Sequence, residues 1–349
     1  MNRKFLSIFT AALLLLNATG LSIAATPRKK TATGAQGNAL VAKLPASDAV
    51  AIVDARRIFD QGLPQILASK QDLMAKITGH LDEMQAKTGI DARKFDQIVI
   101  GANIKHKAVK DFDLDFVALA RGSMNAGSLI SAAKLASNAG YREEKLGERT
   151  IYIFTPKSVA DKNLSSSAPA VVSDAIDHVP AEMAVTTLDA NTLIFGSLAR
   201  VRETLAAKST VSPEITALLS PRSTSVFTFA ARMPAGMRSL LPMDNDELPK
   251  TVESIKFESG WSDLNANGAV MNITAKTVGA ESAQNLYDTV SFLQQLGKGM
   301  LGSSKKPENA VYARLIESAK VTKTGNDVSL DLTVAQSDID VLLATLVKK

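Results

Sequence analysis

The sequence predicts an α+β fold in two related halves, each a mostly antiparallel sheet backed by helices. Three observations carry this reading. The stretch Met183–Ala207, MAVTTLDANTLIFGSLARVRETLAA, reads as strand, tight turn, strand and helix. The same order closes the chain from Ala319, AKVTKTGNDVSLDLTVAQSDIDVLLATL, with Val185 aligned on Val321 and the turn residue Asn191 on Asn326. The run DAVAIVDARR at 48–57 is answered by STSVFTFAAR at 223–232. Each half then runs roughly β-α-β-β-α-β-β-α, an alternation with hairpins that implies antiparallel or mixed sheets with helices against them. The expected organisation is a signal peptide over 1–24, a disordered basic tail over 25–43, a first half over 44–220 and a second over 221–349.

In the first half, Ala49–Asp54 has the unbroken apolar character of a buried strand. A helical region follows from Ile58, with Leu73, Ile77, Leu81 and Met84 on one face, and stops at Thr88-Gly89, where glycine can take the left-handed cap. Asp91–Lys94 reads as a short helical turn, and Phe95–Ile104 as a strand with Ile98 and Ile100 inward. Residues 105–111 read as a hairpin connection into a strand over Leu114–Ala120. A small helix over Asn125–Asn138 precedes the hairpin Tyr141–Leu146 and Ile151–Phe154, turning at Gly147-Glu148. Residues 155–181 lack periodicity and read as a long loop.

The repeated unit comes next. Asp189-Ala190-Asn191 supplies turn residues that bond their own backbone, the flanks are rich in Val, Thr, Leu, Ile and Phe, and Ser197 stands where a helix N-cap is needed. Residues Ser209–Arg222 read as a polar stretch. In the second half the expected elements are a strand at Ser223–Arg232, a helical piece after Pro234, and strands Val252–Trp261 and Ala269–Lys276 around Asn265–Gly268. A long helix from Ala280 follows, with Ala283, Leu286, Tyr287, Val290, Leu293 and Leu296 on one face. In the closing unit Val328, Leu330, Leu332 and Val334 alternate with polar residues. Ser337 is the expected cap, and Asp338 and Asp340 suit the exposed start of the helix dipole.

The N-terminus has the layout of an export signal: Arg3 and Lys4, the apolar run Phe5–Leu16, and the small residues Ser22-Ile23-Ala24-Ala25 as a cleavage site. The apolar run is short of the roughly 20 residues that span a bilayer, so no integral membrane segment is expected after cleavage. The chain has no cysteine, hence no disulfide, thiolate metal site, lipid-attachment cysteine or cysteine nucleophile. A chain of this length can bury about 75% of its unfolded surface without such staples. Removing 1–24 takes away two basic residues and no acid, lowering the net charge from +5 to +3. Much of the remaining excess lies in Arg28-Lys29-Lys30. With aromatics sparse and no recurring basic stripe, nucleic acid is not an expected partner.

The catalytic motifs all have plainer readings. Ser131-Ala132-Ala133-Lys134, the Ser173-Asp174 and Ser262-Asp263 pairs, and Lys323-Thr324-Gly325 fall in the order of a penicillin-recognising set. Ser131 falls inside a helix, neither Ser-Asp pair is followed by Asn, and the Lys-Thr-Gly occupies a hairpin turn. Gly297-Lys298-Gly299-Met300-Leu301-Gly302 fits G-x-G-x-x-G but follows a helix instead of a strand, so it reads as a helix end. Asp111, Asp113 and Asp115 share one strand face, where a divalent cation could bind, although a solvated face beside Lys105, Lys107 and Lys110 is the plainer reading. Asp244-Asn245-Asp246-Glu247 lacks the glycine and distal glutamate of a calcium loop. His80, His106 and His178 are isolated, and Trp261 and Phe257 alternate along one strand as core residues. No catalytic, cofactor or metal residue is assigned.

The islands LPASDAVAIVDARR, TGIDARKFDQIVIG and LDANTLIFGSLARVRETL resemble exported bacterial proteins of unknown function that begin with Leu-Pro-x-x-Asp and carry a strand–turn–strand–helix of this kind. The resemblance implies an envelope location and supplies no site residues. The expected role is therefore that of an exported non-enzymatic protein, periplasmic or extracellular, binding or structural, with an unidentified protein or envelope component as partner. A hydrolase with an unannounced acid–base site on the Asp111–Asp115 strand, and a carrier of apolar ligands in the cleft between the halves, are the alternatives.

Overall fold

Strand β1, Ala49–Val53, is short and apolar, and it has both edges paired: Ala51 lies opposite Ile100 of β2 on one side and Phe229 of β8 on the other. An apolar strand with a free edge invites pairing with another chain, and here the two halves supply each other's edge. The result is one continuous 12-stranded sheet, where two separate sheets were expected. The computed structural model describes residues 39–88, 91–108, 111–123, 125–136, 140–155, 180–219, 225–233, 251–301 and 307–347.

The strands in chain order are β1, β2 (Phe95–Ala108), β3 (Asp111–Gly122), β4 (Tyr141–Leu146), β5 (Arg149–Phe154), β6 (Met183–Asp189), β7 (Thr192–Ser197), β8 (Phe227–Arg232), β9 (Ile255–Asn265), β10 (Gly268–Thr277), β11 (Lys320–Thr324) and β12 (Asp327–Ala335). Their order across the sheet is β11-β12-β10-β9-β8-β1-β2-β3-β7-β6-β5-β4, and every pair is antiparallel. The helices are α1 (Gln71–Thr88), α2 (Ala126–Ala136), α3 (Leu198–Ala206), α4 (Pro213–Leu218), α5 (Ala280–Leu301), α6 (Pro307–Ser318) and α7 (Gln336–Val347). The chain is thus α+β, a large antiparallel sheet backed by helices.

The two faces of the sheet are built differently. On one face, Val50, Val99, Val117, Leu119, Ile153, Ala184 and Ile194 are buried beneath Leu198 and Val201 of α3, Ile215 of α4, and Leu40, Val41 and Leu44 of the entering chain. This layer covers the first half and reaches Ala230 of β8. Further into the second half the same face turns polar, with Thr228, Trp261, Asn272 and Asp331 in one cross-strand row and Ser259, Thr274 and Ser329 in the next. Its polar groups bond one another: Asn272 Nδ2 donates to Asp331 Oδ1 at 2.8 Å, and Thr274 Oγ1 lies 2.8 Å from Ser329 Oγ.

The opposite face carries helices over both halves. Ile98 packs with α1 and the helical segments of residues 55–66, Leu193 and Val185 pack with α2, and Ala275, Val328 and Val321 pack with Ala283 and Leu286 of α5.

Several local expectations are corrected. The folded chain begins by residue 39, within the span read as tail, because Leu40 and Val41 are buried in the core. Residues 105–108 continue β2 and 111–113 belong to β3, so the hairpin is longer than its polar composition suggested. The polar stretch 209–222 contains α4, which buries Ile215 and is capped by Ser212 accepting from Ile215 N at 3.4 Å. Ser197 stands at the N-cap position of α3 as expected, but its hydroxyl makes no capping bond and donates to Asp115 of β3 instead. Leu293 and Leu296 of α5 face outward, 45% and 47% exposed. The C-terminal half of α5 turns a different face to α6, through Gln294, which donates to Ile316 O and Ala319 O at 2.7 Å each, and through Gly297 beside Ile316. Asp338 is buried, and its carboxylate is bound by Arg314 of α6, so it is not the exposed dipole partner expected.

Read outward from the central seam, the first half runs β1-β2-β3-β7-β6-β5-β4 and the second β8-β9-β10-β12-β11, so the inner five strands correspond and the β4–β5 hairpin is an addition of the first half. The closing helices differ, however. α3 joins the cluster containing Val99, whereas Leu343 of α7 joins the one containing Ile98, on the other face. The cause is legible in the strands they follow. β7 is apolar on both faces, with Leu193 and Ile194 adjacent. β12 alternates Val328, Leu330, Leu332 and Val334 with Ser329, Asp331 and Thr333, leaving α7 only one apolar face on which to bury its stripe.

Candidate functional site

Among the described residues, the face bearing α1, α2 and α5 is not evenly covered. Between the helices of the first half and those of the second, one cross-strand row runs Phe116 (β3), Ala102 (β2), Ala49 (β1), Ala231 (β8), Glu258 (β9), Ala275 (β10) and Val328 (β12). Directly paired residues project from the same face, so Ala102, Ala49 and Ala231, with Glu258 at the end, form a shallow trough across the middle strands, and Ala275 beyond it lies under α5. With neighbouring strands about 4.8 Å apart, the span from Ala102 to Glu258 is roughly 14 Å.

The adjacent row supplies the trough's wall: Phe195, Ala118, Ile100, Ala51, Phe229, Gly260, Ile273 and Leu330. Ala49, Ala51, Ile100, Ala102, Phe229 and Ile273 are all half-buried, and Phe195 is 38% exposed. The aromatic rings in this region are ordered against one another. Phe227 and Phe229 stack at 5.9 Å between centroids, Phe154 and Phe195 at 6.1 Å, and Phe116 lies 6.0 Å from Phe195. Glycine is required at 260 because a Cβ there would stand 2.7 Å from Cε1 of the Phe229 ring, which lies over it, and closer still to Asn272 O of the neighbouring strand.

Glu258 is the exception in this apolar setting. Its direct neighbours are Ala231 and Ala275, and burial alone pushes its carboxyl above the usual carboxylate range. It has no hydrogen-bond or ion-pair partner among the described residues. Lys256, two positions earlier on the same face, is exposed; Arg232 faces the other side, its guanidinium 5.2 Å from the Phe257 ring centroid. A half-buried carboxyl with neither a hydrogen bond nor a counter-ion is costly to keep, and such groups mark functional sites more often than ordinary surface carboxylates do.

The residues singled out from the sequence do not converge on a catalytic centre. Asp115 accepts a hydrogen bond from Ser197, tying β3 to the start of α3; the side chains of Asp111 and Asp113 lie outside the described residues. Asp263, of the second Ser-Asp pair, is buried and accepts from Arg57 Nη2 at 2.8 Å, joining the helical segment after β1 to β9. Ser131 sits within α2, its hydroxyl bonded to Gly127 O, and Lys323-Thr324-Gly325 enters the β11–β12 turn, with Gly325 at φ +57°. Gly297–Leu301 lie within α5. His80 is exposed on α1, 3.8 Å from Glu83; His106, His178, Ser173-Asp174 and Asp244–Glu247 fall outside the described side chains. Trp261 and Phe257 are half-buried on the face opposite Glu258.

Sequence reasoning missed Glu258 for a definable reason. In IKFESGWSDLN the alternation puts Phe257 and Trp261 on one face and Lys256, Glu258, Gly260 and Ser262 on the other, which reads as core and solvent respectively. The structure places α5 and the phenylalanine rows on the Glu258 face.

No known family model matches the chain, and no curated protein does. Among solved structures, crystal form III of TP0453 aligns with a TM-score of 0.41 at 10% identity, covering 87% of this chain and 97% of that one. Crystal form I aligns at 0.39 and 11% identity, covering 87% and 96%. Likeness at this level carries no functional argument.

Among the described residues, no helix is long and apolar enough to cross a membrane.

Proposed function

We propose that this protein is an exported, non-enzymatic binding protein whose ligand is apolar along most of its length and lies in the mid-sheet trough. The observation that carries the reading is the half-open row Ala102, Ala49 and Ala231, ending at Glu258 and walled by Phe229, Ile273 and Phe195. Small side chains on adjacent strands leave room above the sheet, and aromatic walls offer contact area at low entropic cost. The absence of a convergent nucleophile, base and oxyanion set among the described residues favours binding over hydrolysis. Export rests on Arg3-Lys4, the apolar run Phe5–Leu16 and the small residues before Thr26, and places the work in the envelope or beyond.

The halves are proposed to be tandem copies. The matching order of the five strands outward from β1 and from β8 supports this, the β4–β5 hairpin is then an insertion, and the opposite docking of α3 and α7 is a divergence driven by the polar residues of β12.

The binding reading is tested by titrating the protein with an environment-sensitive apolar fluorophore, N-phenyl-1-naphthylamine, and repeating with Ala231→Phe. Wild type is expected to bind saturably. The variant, with a ring filling the trough midway, should lose at least about ten-fold in affinity while melting within a few degrees of wild type. Saturable binding unaffected by Ala231→Phe would remove the ligand from the trough.

A further inference from the structure

We propose that the trough selects an amphiphile with a cationic head, a primary alkylammonium or its chemical equivalent, and that Glu258 is the counter-ion for that head. The inference rests on the trough being the ligand site and adds which class of ligand it takes.

Glu258 stands among apolar neighbours. Ala231 and Ala275 flank it directly, Gly260 follows on the same face, and the Phe229 ring covers that glycine. None of these can donate a side-chain hydrogen bond. The charged side chains of the neighbouring strands point elsewhere or into solvent: Arg232 and Lys276 belong to the other face, and Lys256 is exposed. Lys323 stands in the same row beyond Val328 and is likewise exposed. On α5, Glu281 and Asp288 are exposed and of the same sign as Glu258.

An ionised carboxylate in such surroundings is expensive unless a partner arrives with opposite charge and hydrogen bonds to give. An ammonium group provides both, with three N–H donors and one positive charge. The Phe229 ring beside it adds a second attraction, since a cation over an aromatic face is favoured, most so where water is excluded. The alkyl chain would then lie along Ala231, Ala49 and Ala102 towards Phe116, covering apolar surface that is now half-exposed. A ligand carboxylate would instead set two like charges together and force one to stay protonated. An uncharged alcohol would gain the apolar contact and a hydrogen bond without the ion pair. The three head groups are therefore ranked by charge complementarity.

The test is calorimetric titration of the full chain at pH 7.5 with dodecylammonium, 1-dodecanol and dodecanoate, each below its aggregation concentration, for wild type and Glu258→Gln. Wild type is expected to bind dodecylammonium at least about ten-fold tighter than dodecanol, and dodecanoate most weakly. In Glu258→Gln the ammonium and the alcohol should bind within about two-fold of each other, because the isosteric amide keeps the shape and removes the charge. The melting temperature of the variant, measured alongside, should equal or exceed that of wild type. The proposal is overturned if wild type does not prefer the ammonium, if dodecanoate binds tightest, or if Glu258→Gln retains the preference, which would put the cation at another acidic site. Binding of none of the three would instead overturn the trough as a ligand site, and this inference with it.

Discussion

Val201→Asp is expected to leave no stably folded protein at ordinary temperatures. Val201 is fully buried on α3, within the cluster that includes Val117, Leu119 and Ile194 beneath it. Its helix closes the first half by docking on β3, β6 and β7. A carboxylate there would lose its hydration without gaining a partner, a change in the class that costs more than about 4 kcal/mol. That is a large share of the 5–15 kcal/mol or so that holds a typical domain together. Urea denaturation followed by circular dichroism reads the effect directly. A variant with the wild-type midpoint would mean that α3 does not seal this face.

Gly196→Ala should be nearly as damaging, for a different reason. Gly196 lies on β7 between Val117 of β3 and Ala184 of β6. A Cβ at that position would stand 2.6 Å from Val117 Cα and closer still to Phe116 O, atoms of the neighbouring backbone that no rotamer change can move aside. The strands would have to part, at an expected cost of about 3 kcal/mol. Gly279→Ala is the matched control, because nothing lies within 4 Å of a Cβ there. A shift in denaturation midpoint confined to the Gly196 variant is the predicted result. Equal midpoints for the two would show that β3 and β7 do not approach as closely as described.

Much of the fold was legible wherever a short-range signal is sufficient. The hairpin of β4 and β5 turns at Gly147, with φ +62°, as its sequence implied. Leu73, Ile77 and Leu81 bury one stripe of α1, and Asp91 caps the short turn at Ala92–Lys94 by accepting from Arg93 N at 3.1 Å. What was not legible depends on partners distant in the chain. Nothing in DAVAIVDARR announces that Phe229, far along the sequence, will pair beside Ala51 and join two sheets into one. The α4 helix was hidden because it is six residues long, and its core contacts, Ile215 and Leu218 with Val211 and Leu219 flanking them, are set among polar residues. The Leu293 and Leu296 stripe of α5 pointed inward on periodicity, but α6 competes for the helix through Gln294 and Gly297.

The candidate site was the least legible part, and for a physical reason. Alanines scattered over separate strands look like filler in a sequence. They become a trough only when Ala102, Ala49 and Ala231 are brought into one cross-strand row by register. Glu258 looked solvated because the alternation of β9 opposes it to Phe257 and Trp261. The covering helix α5 instead sits on the glutamate's side, leaving Trp261 on the hydroxyl- and amide-rich face.

The most direct measurement of the central claim is photoaffinity labelling with a long-chain alkyl diazirine, with the adducts located by peptide mass spectrometry. The account predicts saturable labelling in the peptides of β1, β8 and β9, around Ala49, Ala231 and Glu258, competed away by excess unlabelled ligand. A competing apolar surface exists on α5, where Phe292 is 63% exposed beside Leu293 and Leu296. Labelling concentrated on that helix, with β1, β8 and β9 unmodified, would contradict the account.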